Sequence, residues 1–403
     1  MIWGDPEFSG VLLAMWLGML SVLWGALVLS VGGWHRKFAL PAVQLPELPR
    51  LTICVPARDE AHQIGACVRA ALAQTHPAFD VVVVDDCSTD GTGDAARAAG
   101  GGNPRLRVVS GATPPSGWAG KPWACARAAG EATGSQLLFI DADVALHPDA
   151  ARDAASVLIA RHLGLLSLFG SWTLVGFWEQ VAIPVVGWFI RGAVDVEAVN
   201  RAGSPAAFAN GQFILVDRAA YDSIEGHGAV RAEVLEDVRL ARAFKQRGWP
   251  IGLYSAPRLF SVRLYRSLSE IFTGYTKNFY EGMDRRPLVA LGALLFLLIA
   301  GVLPYFGLIA AVLRPGFLFT GLDPWWPWQA WFAFDCALPI VFRWRIERAD
   351  GRSGILAWTH PLGNAVLASV LLASTFRVRT DWKGRSFHDG RAAASTGGAD
   401  PKR

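Results

Sequence analysis

The chain has 403 residues, a formal net charge of +4 and a hydrophobic content of 52% that includes 17 tryptophans. This length accommodates one large domain or two small ones. Basic residues cluster beside long apolar runs and are not interleaved with aromatic residues in a polar segment, which excludes a nucleic-acid-binding protein. The five cysteines include no CxxC pair and indicate free thiols in a reducing compartment.

The first apolar segment, residues 8–34, predicts an N-terminal transmembrane anchor. It is uncharged and long enough to cross roughly 30 Å of hydrocarbon. No basic stretch precedes it and no small-residue cleavage site follows it, so we do not expect a cleaved signal peptide. His35, Arg36 and Lys37 come next, and the positive-inside rule then places the following residues in the cytoplasm.

Residues 50–282 predict a cytoplasmic catalytic domain in which strands and helices alternate. Leu51–Val55, Val81–Val84 and Leu137–Ile140 are short apolar runs typical of strands, and residues 61–73 are typical of a helix. The alternation predicts an α/β fold with a mainly parallel central sheet. Ligands of such sheets gather at the carboxyl ends of the strands.

Acidic residues follow each of the three predicted strands, as Asp59-Glu60, Asp85-Asp86 and Asp141-Ala142-Asp143. Because Asp141 and Asp143 are two residues apart, both carboxylates can face one ion. Hard oxygen ligands suit Mg²⁺ or Mn²⁺, which would neutralise a diphosphate. The sequence therefore predicts a divalent cation site at this edge of the sheet.

Two glycine-containing segments resemble phosphate loops without matching one. Gly91 begins a loose dinucleotide pattern, but residues 88–90 separate it from the strand, which favours a turn and a helix N-cap. Lys121 follows a glycine, although Pro122 stands where a P-loop has Ser or Thr. Lys121 is either a point charge for a phosphate or a solvated loop lysine.

Glu236 and Asp237 lie at the predicted start of a helix. One interpretation is a favourable interaction of two first-turn acids with the helix dipole. The other is that an Asp at this position is the general base that deprotonates an acceptor hydroxyl.

Four motifs in this order resemble the family 2 glycosyltransferases and their GT-A nucleotide-diphospho-sugar fold. They are Val55-Pro-Ala-Arg-Asp-Glu60, Val84-Asp-Asp-Cys-Ser-Thr-Asp-Gly91, Asp141-Ala-Asp143 and Glu236-Asp237. Further segments are similar to the carotenoid (diaponeurosporenoate-type) and hopene-associated members, namely 117–125, 210–213, 226–237, 274–278 and 381–385. The Gln-x-x-Arg-Trp motif of processive synthases is missing, which favours a single transfer over a polymer.

The resemblance implies a role for each matched residue. Pro56, Ala57 and Glu60 would line the nucleoside, Asp86 with Asp85 would contact the base, Asp141 would lie near the ribose or the metal, Asp143 would bind the metal, and Lys121 would face the donor phosphates or sugar. Asp237, beside Glu236, would be the base of an inverting single displacement. Trp178, Gln212, His227 and Lys277 are candidate acceptor or donor contacts, with a buried or capping histidine as the alternative for His227.

The aromatic segment 169–190, rich in tryptophan, predicts a surface that lies in the lipid headgroup zone, with an ordinary core helix as the alternative. Residues 287–376 predict a C-terminal membrane region with two or three apolar segments, 287–313, 325–342 and 355–376. Three full crossings would leave the basic tail, 377–403, outside. We therefore expect one of the last two segments to be re-entrant or interfacial, and a cytoplasmic tail with a disordered end.

Together these features predict a multi-pass cell-membrane enzyme with a divalent cation. It would move a sugar from a nucleotide-sugar, with UDP favoured, to a lipid or isoprenoid acceptor at the cytoplasmic face. A polyprenyl-phosphate sugar synthase is the alternative and would share the donor residues. An NAD-dependent oxidoreductase would need a glycine-rich turn where Val55-Pro56 stands. A transporter or scaffold is the non-enzymatic alternative, and a transporter would need more intramembrane ionisable residues than Asp335.

Overall fold

The computed structural model describes residues 6–314 and 324–376, together with three short strands between residues 379 and 392. These residues form two compact units. The sheet domain comprises 38–173, 194–264 and the tail strands, and the helical domain comprises the residues up to Lys37, 174–193 and 265–376. Residues 174–193 and 265–282, which the sequence grouped with the catalytic domain, thus pack with the helical domain.

The strands are short and mostly buried. In chain order they are β1 (Leu51–Ala57), β2 (Phe79–Asp85), β3 (Leu106–Ser110), β4 (Gln136–Ile140), β5 (Val144–Leu146), β6 (Leu165–Phe169), β7 (Ser171–Trp172), β8 (Phe213–Asp217), β9 (Ile251–Ser255), β10 (Phe260–Val262), β11 (Arg379–Trp382), β12 (Arg385–His388) and β13 (Arg391–Ala392).

The helices alternate with these strands in the sheet domain and follow one another in the helical domain. In chain order they are α1 (Pro6–Lys37), α2 (Ile64–Leu72), α3 (Thr92–Gly100), α4 (Gly120–Glu131), α5 (Ala150–Ala160), α6 (Phe177–Ala193), α7 (Val196–Asn200), α8 (Arg218–Ser223), α9 (Glu236–Gln246), α10 (Leu268–Gly282), α11 (Pro287–Gly301), α12 (Leu303–Leu313), α13 (Trp326–Ala349) and α14 (His360–Phe376).

The main sheet of the sheet domain has seven strands in the order β3-β2-β1-β4-β8-β6-β9. Only β8 runs antiparallel to its two neighbours. The strands are continuous apolar runs because helices cover both faces of the sheet; the side chains of Val81–Val84, for example, are at most 1% exposed. The predicted, mainly parallel sheet is confirmed.

The strand register brings the predicted site residues to one edge. Ala57 pairs with Asp85, so the loops after β1 and β2 begin at the same level. Cys54 pairs with Phe139, and continuing this register by two residues brings Asp141 level with Pro56. Because β8 is antiparallel and its first residue pairs with the last residue of β4, the loop before β8 also reaches this edge.

In the helical domain, α1 and α13 pack in parallel. Ser21 donates a hydrogen bond to Asp335 at 2.6 Å, and further along both helices in the same direction the ring centroids of Trp24 and Phe342 lie 5.5 Å apart. At the C-terminal ends of the two helices, Arg191 of α6 contacts both, with its guanidinium 3.2 Å from Asp350 and 5.3 Å from the Trp34 ring.

Helix α12 runs antiparallel to α13. The Tyr305 hydroxyl donates to the Cys336 carbonyl at 2.9 Å, and the Gln329 amide donates to the Ala311 carbonyl at the same distance. In the described part of the chain, two helical stretches are long and apolar enough to cross a membrane, Gly10–Val31 and Pro287–Leu313. The second comprises α11 and α12.

The aromatic segment 169–190 is divided between the two domains. Phe169 ends β6 and Trp172 ends β7, both in the sheet domain, whereas Trp178 and Trp188 belong to α6 of the helical domain. Helix α6 continues through Pro184. The expectation of a disordered end to the tail concerns residues after 392, which lie outside the described residues.

Candidate active site

The loops after β1 and β2 are tied together by hydrogen bonds from backbone amides to side chains. The Thr89 amide donates to Asp59 Oδ1 at 2.9 Å, and the Ala61 amide donates to Asp90 Oδ2 at 2.9 Å. The Glu60 amide donates to Thr92 Oγ1 at 2.8 Å, at the first residue of α3. Each loop therefore supplies side chains that hold the backbone of the other.

Asp85 and Asp86, which the sequence treated as a pair, have different roles. The Asp85 carboxylate accepts from the Ser88 amide at 3.1 Å, and its other oxygen would be 2.6 Å from a Cβ at Gly93. Asp85 thus stabilises the loop after β2. Asp86 is only 4% exposed, and its amide donates to the Ala57 carbonyl at 2.7 Å, which places it beside the end of β1.

Gly111 packs directly against this loop. Its amide donates to the Asp85 carbonyl at 2.6 Å, and a Cβ here would be 2.2 Å from that oxygen and 2.8 Å from the Asp86 Cα. Only glycine fits so close to another backbone.

Lys121 joins two of the predicted acidic groups. Its Nζ lies 2.7 Å from Asp141 Oδ1 and 2.9 Å from Glu236 Oε1. Burial would lower the pKa of Lys121, but the carboxylates of Asp141, Glu236 and Asp237 outweigh it and hold that pKa well above its usual value. Lys121 is therefore a cation paired with two carboxylates on the first turn of α4 and not an unpaired loop lysine.

Asp237 is oriented by two backbone amides. Its Oδ2 accepts from Gly211 at 2.9 Å, and its Oδ1 accepts from Val238 at 2.8 Å. Burial, reinforced by the negative charge of Glu236, raises the pKa of Asp237 to about 6, against the opposing effect of Lys121 and the two amides. A carboxyl group with this pKa is ionised near neutral pH and is a stronger base than an ordinary aspartate.

Asp143 lies in the turn between β4 and β5. Its Oδ1 is buried and has no hydrogen-bond partner among the described residues. Burial, with the charges of Asp141 and Glu60, raises its pKa well above the usual value. A cation would satisfy this oxygen and relieve the repulsion between the carboxylates.

The described residues contain no group of three or more His, Cys, Asp or Glu side chains that could hold a metal ion by themselves. Mg²⁺ is commonly held by one or two carboxylates together with substrate phosphates. The residues present therefore fit a cation that binds with a diphosphate.

The remaining predicted contacts fall in different places. Gln212, in the loop before β8, accepts from the Asn210 side chain at 3.2 Å and lies at the edge that carries the acidic residues. His227 is 3% exposed and bonded to Tyr221, so it is a buried histidine and not a free side chain at the edge. Trp178 in α6 and Lys277 in α10 belong to the helical domain.

Gly211 is a site residue that the sequence reasoning missed. A Cβ at this position would be 2.9 Å from Asp237 Oδ2 and 3.2 Å from Lys121 Nζ, so both functional groups close around the glycine. The Asn210-Gly-Gln-Phe213 motif was the available signal, but it drew attention to Gln212 and not to the backbone amide beside it.

Residues 49–278 match a family model described as "Glycosyltransferase like family 2". A 4,4'-diaponeurosporenoate glycosyltransferase of Staphylococcus aureus strain USA300 is 26% identical over 386 residues, which cover 91% of this chain and 95% of that protein. The enzyme of the same name from strain MRSA252 is 28% identical over 308 residues, which cover 73% of this chain and 75% of its own.

Among solved structures, a mannosyltransferase from Pyrobaculum calidifontis, determined in complex with GDP-Man and Mn2+, is similar in fold. It is 20% identical, has a TM-score of 0.50, and the match covers 82% of this chain and 99% of that one. This similarity concerns the fold.

Proposed function

Because the chain belongs to glycosyltransferase family 2, we propose that it transfers a sugar from a nucleotide-sugar, with UDP favoured, to a carotenoid-like lipophilic acceptor at the cytoplasmic face of the membrane. The observation that carries this proposal is the convergence of Lys121, Asp141, Glu236 and Asp237 at the carboxyl edge of the sheet.

The donor half of the site is the pair of tied loops after β1 and β2. Pro56 and Ala57 end β1, and the buried Asp86 lies beside them, which favours a nucleoside bound between these residues with Asp86 on the base. Glu60 lies in the loop after β1, where the hydrogen bond from its backbone amide to Thr92 Oγ1 holds it in place. The register then brings Asp141 to the level of Pro56, one strand away, where a ribose or diphosphate would follow.

Asp237 is the group that we assign to proton transfer. The acceptor hydroxyl oxygen attacks the anomeric carbon of the sugar, and the bond from that carbon to the diphosphate oxygen breaks. The hydroxyl proton passes to Asp237, and the nucleoside diphosphate leaves with the bonding electrons. Attack opposite to the leaving group inverts the anomeric centre in this single displacement.

Lys121 and Glu236 set the charge around this step. Lys121 forms ion pairs with Asp141 and Glu236, and it would face the diphosphate of the donor. Asp143, with Asp141, would hold Mg²⁺ or Mn²⁺, which when bound would neutralise charge on the leaving diphosphate.

The acceptor class is supported by the helical domain and by the relatives. Large apolar side chains of α1 and α11 are exposed, with Val22 at 74% and Leu288 at 81%, which fits a lipid environment. The 26% identical relatives are named for a carotenoid acid. A membrane-anchored chain of this kind meets a lipophilic acceptor at the surface of the bilayer.

The helix directions support a topology. Helices α1 and α13 are parallel, and both end in basic residues: Arg36 and Lys37 are the last residues of α1, and Arg345 and Arg348 lie in the last turns of α13. The positive-inside rule places both ends in the cytoplasm, with α11–α12 as the return crossing. Helix α14 runs from Asn364, bonded to Gly301 of α11, back to Ser374, which accepts from the Tyr280 amide just before α11. We therefore assign the re-entrant or interfacial segment to α14 and the tail to the cytoplasm.

The test uses membranes that contain the full chain, incubated with labelled UDP- and GDP-sugars and either a carotenoid acid, a hydroxylated carotenoid or a polyprenyl phosphate. Lipids are extracted and identified by mass spectrometry. We expect a glycosylated carotenoid from a UDP-sugar, and at least about 100-fold less with Asp237→Asn and the hydroxylated acceptor. A labelled polyprenyl phosphate as the sole product would replace the acceptor assignment, and no labelled lipid from any donor would overturn the proposal.

A further inference from the structure

The turn between α8 and α9 leads directly into the two acidic residues of the site, and its backbone is strained. The turn, Gly226–Val230, is a single 3-10 turn. Glu225 before it has φ +64° and Gly226 has φ +53°, so two consecutive residues adopt the left-handed region. Glutamate rarely adopts this conformation, and it persists where surrounding contacts hold it.

A buried tyrosine and histidine hold this turn. The Tyr221 hydroxyl is 2.8 Å from His227 Nδ1, and the His227 backbone amide donates to the same hydroxyl oxygen at 3.1 Å. Because the oxygen accepts from the amide, the hydroxyl proton is available to Nδ1. We assign the tautomer that satisfies both groups, in which Nδ1 accepts from the hydroxyl and Nε2 carries the imidazole proton.

The surroundings keep the imidazole in this neutral form. Burial, with the positive charge of Lys121, lowers the pKa of His227 to about 3. The ring packs edge-to-face on Phe139 of β4 at 4.8 Å, and Phe139 also contacts Tyr221 at 5.6 Å. Phe139 stands two residues before Asp141.

Gly226 completes the arrangement. A Cβ at this position would be 2.4 Å from two carbons of the Tyr221 ring. The tyrosine ring can approach the backbone this closely only because residue 226 is glycine. The ring then fixes the position of the residues that follow Gly226.

The held turn contacts both elements that carry the charged groups of the site. Ala119 stands at the start of α4, two residues before Lys121, and its amide donates to the Arg231 carbonyl at 2.6 Å. The turn continues through the Glu233 amide, which donates to the Val230 carbonyl at 3.0 Å, into Glu236 at the start of α9. Lys121 and Glu236 then meet at 2.9 Å.

We propose that Tyr221 and His227 are positioning residues, which set the geometry of Lys121, Glu236 and Asp237 relative to Asp141 without contacting the substrate. The inference rests on the proposed function for its kinetic readout. It assigns His227 a role different from an acceptor or donor contact.

The experiment compares four variants of the full chain in membranes. Tyr221→Phe and His227→Leu remove the hydrogen bond, whereas His227→Asn keeps an acceptor oxygen near the position of Nδ1. Tyr254→Phe, which removes a tyrosine hydroxyl from β9 of the same domain, is the matched control. Transfer rates, KM for the donor and UDP affinity are measured for each.

We expect kcat to fall about 10- to 100-fold for Tyr221→Phe and His227→Leu, as the loss of one buried hydrogen bond at a site allows. KM for the donor and UDP affinity should stay within about threefold, and His227→Asn should restore most of kcat. Tyr254→Phe should keep the wild-type rate.

A rise in KM for either substrate in His227→Leu would show direct contact and overturn the inference, and so would equal activity of His227→Leu and His227→Asn. If the wild-type chain shows no transfer, the proposed function fails by itself. Hydrogen exchange then decides the inference: Tyr221→Phe should increase exchange at the amides of residues 226–238, and unchanged protection there would overturn it.

Discussion

The backbone amide of Gly211 donates a hydrogen bond to Asp237 Oδ2 at 2.9 Å, across 26 residues of sequence. With the second bond from Val238 to Oδ1, both carboxylate oxygens are oriented by backbone groups. The carboxylate that we propose as the base is therefore held in one direction.

Asp237→Asn removes the base and keeps an acceptor oxygen for one of the two backbone amides. We expect transfer to a hydroxyl acceptor to fall by about 10²- to 10⁴-fold, the usual contribution of a general base. UDP affinity should be unchanged. A carboxylic acid acceptor is already ionised at pH 7, so transfer to it should fall much less. Equal losses with both acceptors would contradict the assignment of Asp237 as base. Asp94→Asn, at an exposed position of α3, is the control.

The pH dependence of kcat/KM should report Asp237. Its pKa is raised to about 6, and the base must be ionised, so activity with a hydroxyl acceptor should fall as the pH drops below about 6. Glu236→Gln removes a charge that raises this pKa, and the acid limb should then move to lower pH. An acid limb that does not move would show that another group controls it.

Gly211→Ala should reduce kcat with little effect on UDP binding. The added Cβ would be 2.9 Å from Asp237 Oδ2 and would displace the carboxylate from its amide donor. A hydrogen bond to a charged group contributes about 1.5–3 kcal/mol, which corresponds to a loss of about one to two orders of magnitude in rate. Steady-state kinetics with calorimetric UDP titration measures both effects, and a variant with wild-type kcat would contradict the role of Gly211.

Gly111→Ala should destabilise the sheet domain and weaken UDP binding. The new methyl group would overlap the Asp85 carbonyl, and overpacking of this kind costs about 1–3 kcal/mol. Gly130→Ala, at an exposed helical position with nothing within 4 Å of its Cβ, should instead stabilise by about 0.5–1 kcal/mol. Thermal unfolding of the two variants, measured side by side, should show opposite shifts.

Asp143→Ala should abolish the effect of a divalent cation on UDP affinity. In the wild-type chain, we expect Mn²⁺ to increase UDP affinity and a chelator to reverse the increase, because the unpaired Asp143 oxygen would bind the ion. In the variant, UDP affinity should be the same with and without Mn²⁺. If the ion still strengthened UDP binding in Asp143→Ala, the ligand would lie elsewhere.

The fold and the enzyme class could be predicted because they depend on local patterns. The runs at Leu51, Val81 and Leu137 were long enough and apolar enough to predict buried parallel strands, and the family 2 resemblance is confirmed over residues 49–278. The GT-A fold and the predicted diaponeurosporenoate-type relatives are confirmed as well. The site residue assignments remain predictions, which the experiments above test.

The details that the sequence did not reveal depend on contacts between distant residues. Lys121 bridges Asp141 and Glu236, and no local pattern reports a pairing across 115 residues. His227 and Tyr221 are only six residues apart in sequence, but the positioning role that we propose for them depends on their burial against Phe139, which no local pattern reports. The grouping of residues 174–193 with the helical domain depends on packing against α14 and α10, which the aromatic content of that segment does not encode.

The tied loops after β1 and β2 have a consequence for attempts to exchange donor specificity. Since Asp59 holds the Thr89 amide and Asp90 holds the Ala61 amide, a loop transplanted from a relative would lose partners on the other side. A chimera that replaces residues 58–63 alone should bind neither its old nucleotide nor the new one well. Residues 58–63 and 86–92 therefore have to be exchanged together, so that each loop keeps the partners that hold its backbone.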